Sequence, residues 1–147
     1  MRSGMPTSGT PQALLFKSLR DGNIPEAMPL LKALISDVPY SNKKLASMDM
    51  EERYRLIISA ILNAIGLDVK VEYMLSTGRI DIVAGTPKFT YVLELKLQKN
   101  GGLDAAAKQI KDNQYLAPFQ GTGRMVVGIA VELDDLGRGL TVWKEVK

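Results

Sequence analysis

From Asp49 the apolar residues Met50, Tyr54, Ile57, Ile58, Ile61 and Ile65 recur at spacings of three and four. That period predicts an amphipathic helix ending at Gly66, with Asp49 as its N-cap and Glu52 three residues on. The pattern then changes to strand-like runs over 69–75, 79–84 and 89–97, separated by the turn residues Ser76-Thr77-Gly78 and Gly85-Thr86-Pro87-Lys88. A second helix is predicted over 103–114, apolar at Leu103, Ala106, Ala107 and Ile110 and stopped before Pro118. The nearly continuous apolar run 125–131 suits a buried strand, and 140–145 a last one. The order is α-β-β-β-α-β-β, an α/β architecture with a central sheet.

Ahead of this block, 1–10 is small, polar and glycine-rich and reads as a flexible leader or an added remnant outside the fold. Segments 11–19 and 24–35 read as short helices separated by Asp21-Gly22-Asn23, with Asp37-Val38-Pro39-Tyr40 breaking the second. The expected organisation is a helical appendage over 11–45, set apart from the core, followed by a domain over 46–147. No internal repeat or low-complexity segment stands out.

At 147 residues the chain suits one domain with its own core, and a 46% hydrophobic fraction fits a folded protein. It contains no cysteine and no histidine. Disulfides, thiolate or imidazole metal sites, cysteine nucleophiles and histidine triads are therefore excluded. Chemistry falls to carboxylates, lysines, hydroxyls and amides, and the natural metals are oxygen-ligated cations such as magnesium or manganese. The net charge of +3 is compatible with an anionic partner without deciding for one. No apolar window approaches the roughly 18 residues of a membrane span and the N-terminus has no apolar signal core, so a cytoplasmic protein is expected, with no membrane partner.

The stretch GRIDIVAGTPKFTYVLELKL places Glu94 and Lys96 at alternate positions of one strand, hence on one face, with Asp81 on the strand before. If the turn pairs Ala84 with Phe89, Asp81 lies opposite Val92 and one step diagonally from Glu94. Two carboxylates held close repel unless something positive stands between them, and a divalent cation does so. A lysine beside them could stabilise a phosphoryl group or orient a water. Taking about 100° per residue along the first core helix, Glu51 falls at the edge of the apolar face and can reach inward, while Glu52 faces water. The same register sets Arg79 opposite Glu94, and a cross-strand ion pair on a solvated face would need no function at all.

Gly78-Arg79-Ile80-Asp81 followed by Val92-Leu93-Glu94-Leu95-Lys96, in this order of elements, resembles the Asp…Glu-x-Lys core of the PD-(D/E)XK nuclease superfamily. Glu51-x-x-Tyr54, Gln109 and Tyr115 are further similar to the nuclease domain that follows an AAA-type ATPase-like domain in some of its members. The resemblance covers about 49–143. The proline of the superfamily's name is absent, Ile80 standing in its place. Val38-Pro39-Tyr40 is similar to the short element joining the two parts in such proteins. With no Walker-type phosphate loop in the sequence, the chain reads as an excised domain of a longer protein.

The resemblance implies a restriction-endonuclease-like core, a mixed sheet flanked by helices, and metal-dependent hydrolysis of phosphodiester bonds in nucleic acid, expected to be DNA. Asp81 and Glu94 would hold magnesium or manganese with the backbone carbonyl of Leu95, Glu51 would support the metal or its water, and Lys96 would orient the nucleophilic water. Gln109, Lys108, Lys111, Arg79 and Tyr115 would meet the nucleic acid. Implied partners are DNA, an AAA-type ATPase-like domain in the same full-length chain, and a second copy where both strands of a duplex are cut. Against these stand blander roles: Gln109 as an ordinary helix residue, Tyr115 and Trp143 as packing, and Lys99, Lys108, Lys111 and Arg124 as solvated charge. Gly101-Gly102 and Gly121-Thr122-Gly123 read as turns. The competing functions are a noncatalytic nucleic-acid-binding or regulatory module of a larger ATPase-containing protein, and a protein–protein interaction domain.

Overall fold

The computed structural model describes residues 9–38 and 48–147. Helices α1 (Pro11–Arg20) and α2 (Ile24–Ser36) form a hairpin; α3 (Met50–Ala64) follows, then β1 (Asp68–Leu75), β2 (Gly78–Gly85), β3 (Phe89–Leu97), α4 (Gly102–Asp112), β4 (Met125–Leu133) and β5 (Leu140–Val146). Short 3-10 turns at Gln98–Asn100 and Ala117–Phe119 flank α4. The order after α2 is the α-β-β-β-α-β-β read from the sequence. Pro39 and Tyr40 of the Val-Pro-Tyr element lie outside the described residues, as do most of the leader (1–8) and the end of the appendage.

Local chemistry sets the helix starts. The side chains of Thr10, Asn23 and Asp49 accept from the backbone N–H groups of Ala13, Glu26 and Glu52, satisfying donors that have no partner inside the helix. The start of α4 is different. Gly101 and Gly102 both have positive φ (102° and 56°), and a Cβ on Gly102 would lie 2.1 Å from Glu132 Oε1. The bare backbone lets Glu132 of β4 accept from the Leu103 N–H at 3.2 Å. Its carboxyl is lowered below the ordinary value, chiefly by the Thr141 hydroxyl, with the Leu103 N–H and Gln98 adding to this against the cost of burial.

The five strands form one sheet in the order β1-β2-β3-β4-β5, antiparallel except for the parallel β3–β4 pair that α4 connects. Alternation divides the side chains between two faces. Tyr91, Leu93, Leu95 and Leu97 of β3 and Ile129, Val131 and Leu133 of β4 share one cluster with Ile58 and Leu62 of α3. Val92 and Ala130 face the other way, with Ala106, Ala107, Ile110 and Tyr115 on the α4 side. The result is a mixed sheet between two helical layers, the restriction-endonuclease-like arrangement expected.

The N-terminal helices are not set apart as the pattern suggested. Leu15, Leu19, Ile24, Ala27, Met28, Leu31 and Ile35 are buried in the same cluster as the sheet. The Tyr91 hydroxyl donates to the Leu19 carbonyl, and Gly22 in the α1–α2 turn sits so close to the Phe89 ring that a Cβ would lie 2.3 Å from it. The two helices were legible; which surface they cover depends on the hairpin folding back across β3. Among the described residues no helix is long and apolar enough to cross a membrane.

Candidate active site

The β2–β3 hairpin has a different register from the one its turn chemistry indicated. Gly85 pairs with Thr90 and Ile82 with Leu93, two residues away from the Ala84–Phe89 pairing. Thr86 explains the shift: its N–H donates to the Phe89 carbonyl and its hydroxyl accepts from the Phe89 N–H, so the turn begins at Thr86 and Gly85 joins the strand. A shift of two keeps every side chain on its face. It also brings Asp81 directly across from Glu94 and removes Arg79 from that position, where the expected register had placed it. Arg79 instead pairs through its backbone with Met74 of β1, and its guanidinium lies 3.9 Å from Glu72.

Beyond Ile82–Leu93 the sheet forks. β2 stays paired with β1 down to Gly78, whereas β3 stays paired with β4 up to Leu97. Two acids fill the backbone gap. The Leu95 N–H donates to Asp81 Oδ2 at 2.8 Å and the Leu97 N–H to Glu51 Oε2 at 3.1 Å, with Asn100 Nδ2 also on Glu51 at 3.2 Å. The Asp81 N–H in turn donates to Glu94 Oε1 at 3.2 Å. A cleft of about 640 Å³ opens at the fork, lined by Glu51, Asp81, Glu94, Leu95, Lys96, Arg79, Gln109 and Tyr115 among others. Four candidate residues of the sequence pattern thus meet: Glu51 from α3, Asp81 from β2, Glu94 and Lys96 from β3. Glu52 faces solvent, as its helical position required.

Glu94 is 1% exposed. Burial, and then the adjacent Asp81 charge, push its carboxyl up from 4.5 to about 9, and burial raises Asp81 as well, opposed by the Leu95 N–H, the shared bond with Glu94, Arg55 and Lys96. Burial and mutual repulsion therefore disfavour two full negative charges on this pair. Such a pair, with only oxygen donors around it, fits a hard divalent cation such as magnesium or manganese. Among the described residues no group of three or more Asp, Glu, His or Cys side chains is close enough to form a ready-made metal cage. An ion would rest on Asp81 and Glu94, completed by backbone and solvent oxygens.

The α4 side of the cleft is hydrogen-bonded rather than charged. Buried Tyr115 donates its hydroxyl to the Arg79 carbonyl at 3.1 Å and accepts from Gln109 Nε2 at 3.0 Å and Asn113 Nδ2 at 3.3 Å. A Cβ on Gly78 would lie 2.6 Å from that hydroxyl, which gives the glycine of Gly-Arg-Ile-Asp a steric reason. Gln109 and Tyr115 are thus brought together at the cleft. Lys108 and Lys111 are not among its lining residues; they are exposed on α4, and Lys108 is paired with Asp112 at 2.9 Å.

Sequence reasoning missed Arg55. It lines the cleft one helical turn after Glu51, with Nη2 2.6 Å from Glu72 Oε1 and Nη1 3.7 Å from Asp81 Oδ1. The available signal was the i, i+4 spacing from Glu51, which puts both on one helical face. Tyr54 serves the fold instead. It is buried, and its hydroxyl accepts from the Gly139 N–H at 2.9 Å and reaches the Asp134 carbonyl at 3.2 Å, anchoring the β4–β5 loop on α3.

A sequence model of the PD-(D/E)XK nuclease superfamily matches residues 49–143. The chain belongs to this superfamily. PD-(D/E)XK proteins are in general phosphodiesterases that use divalent metals, and Asp81, Glu94 and Lys96 lie within the matched residues. Over 121 residues, 80% of the chain, it is 27% identical to a protein of Azotobacter chroococcum described as "Uncharacterized protein in vnfD 5'region". The chain spans only 23% of that relative's length. No solved structure matches it.

Proposed function

We propose that this PD-(D/E)XK chain is a magnesium- or manganese-dependent nuclease domain that hydrolyses phosphodiester bonds in DNA. The observation that carries the reading is the Asp81–Glu94 pair, Glu94 buried and Asp81 nearly so, held together by the Asp81 N–H, with Lys96 on the same strand face in an open cleft. Asp81, Glu94 and the Leu95 carbonyl would hold the metal, which when bound supplies Lewis acidity and a lowered water pKa. Lys96, two residues from Glu94 on β3, orients the attacking water and offsets charge gathering on the phosphate. Glu51 acts from α3, where its carboxylate is held by Leu97 and Asn100. Gln109, fixed by Tyr115, lines the face that the nucleotide meets, and exposed Arg79 contacts the phosphate backbone at the rim. Lys108 and Lys111 would touch only nucleic acid running along the outside of α4.

An ATPase-like domain in the same full-length protein, and a second copy for duplex cutting, are carried by the resemblance; the greater length of the Azotobacter relative leaves room for a further domain. The exposed basic side chains Arg79, Lys108 and Lys111 would equally serve a second reading, a noncatalytic nucleic-acid-binding module. Cleavage of supercoiled plasmid and of labelled single-stranded and branched DNA, with and without manganese, separates the two. Metal-dependent cutting that disappears in Asp81→Ala supports the nuclease; tight DNA binding with no cutting and no metal binding by calorimetry favours the module.

A further inference from the structure

Glu72 is in the middle of β1 yet has φ of 51°, in the left-handed region that a glutamate rarely adopts. Its neighbours Val71 and Tyr73 pair with Ile82 and Ile80, which sets Glu72 across from Asp81, but the ladder is interrupted between the two. Three strands therefore present Glu72, Asp81 and Glu94 in a row, and Arg55 enters this row between the first two. The side chain of Arg55 is only 14% exposed, and its close contact goes to Glu72 at 2.6 Å, whereas Asp81 lies at 3.7 Å, beyond hydrogen-bond reach. A guanidinium recruited as counter-ion to the acidic pair would make its close bonds there. One edge is instead anchored on Glu72 and the other is left facing the cleft beside the acids.

We propose, resting on the nuclease reading above, that Arg55 is a phosphate-binding residue of this cleft and that Glu72 is its positioning residue. A guanidinium presents paired donors in a rigid fork, which suits two non-bridging oxygens of one phosphodiester. The low exposure keeps the charge poorly screened. The left-handed backbone at Glu72 takes its carboxylate out of the strand's alternation and sets it against α3, where Arg79 also approaches it at 3.9 Å. Glu72 thereby holds two arginines at the mouth of the cleft.

The test is binding of a short fluorescein-labelled oligonucleotide, single-stranded and duplex, to the full chain in metal-free buffer across a salt series, read by anisotropy. Arg55→Gln is expected to weaken binding and to reduce the slope of log affinity against log salt by about one. Arg55→Lys, which keeps the charge and most of the stem, is expected to keep the slope and lose affinity. Glu72→Gln removes a negative charge beside the ligand, so a bystander role would tighten binding; a positioning role weakens it. An unchanged slope in Arg55→Gln, or tighter binding in Glu72→Gln, overturns the proposal while leaving the nuclease reading intact. A wild-type chain that neither binds any oligonucleotide nor cuts with manganese overturns that reading and this proposal with it.

Discussion

The Leu95 N–H donates to the Asp81 carboxylate at 2.8 Å, so the acid on β2 is fixed by the strand that carries the other acid, Glu94. Asp81 is therefore both a structural acceptor at the fork and the proposed metal ligand, and two substitutions separate the roles. Asp81→Asn keeps an oxygen for Leu95 and should fold with a melting temperature near wild type while losing manganese binding by calorimetry. Asp81→Ala leaves the N–H without its partner and should cost about 1–3 kcal/mol as well. Manganese binding that survives in Asp81→Asn would remove the residue from the metal site.

The proton on Glu94 gives a stability profile with a definite sign. Its folded-state value is raised from 4.5 to about 9, so the folded chain holds a proton that the unfolded chain releases. This contribution is fully present below pH 4.5 and is lost as pH rises toward about 9. The metal-free protein should melt at progressively lower temperature across that window. Glu94→Gln, close in shape to the protonated acid, should flatten this part of the profile, and saturating manganese should restore stability at the alkaline end. A wild-type profile no steeper than that of Glu94→Gln would show that the pair carries no such proton.

Lys96 shares the strand face of Glu94 and makes no hydrogen bond or close ion pair among the described residues, though its charge bears on both acids. A side chain free of structural partners can be removed cheaply. Lys96→Met should leave the melting temperature and manganese affinity near wild type and lower cleavage by about 10²-fold or more. Equal loss of metal binding and cleavage would mean that the lysine supports the site rather than the water.

Period and polarity exposed much of this arrangement in advance. The spacing of three and four from Met50 to Ile65 identified α3, and strand alternation placed Glu94 and Lys96 together, because both follow from chain geometry alone. The pairing of Asp81 with Glu94 depended on where the hairpin turn begins, which the Thr86 bonds to Phe89 decide and residue types do not. The Arg55–Glu72 bond was silent for a further reason: the spacing from Glu51 could place Arg55 on the right helical face, but the left-handed backbone at Glu72 has no glycine or asparagine to announce it, and the bond joins a helix to a strand 17 residues away. Contacts made by packing leave little trace in a local pattern.

The same limit applies to α1 and α2, whose existence as helices was legible but whose packing partner was not. Met28 is 2% exposed and Leu15 fully buried, both in the cluster that holds Tyr91 and Leu93 of β3, the strand that goes on to carry Glu94 and Lys96. Met28→Ala should cost about 2–5 kcal/mol, as for a large residue removed from a packed core. A truncation beginning at residue 49 retains the whole superfamily match, yet it uncovers this face of the sheet and should aggregate or melt well below the full chain. Urea unfolding of Met28→Ala and of the truncation, followed by far-ultraviolet dichroism, tests both. A truncated chain with wild-type stability and manganese affinity would return the two helices to the role of an appendage.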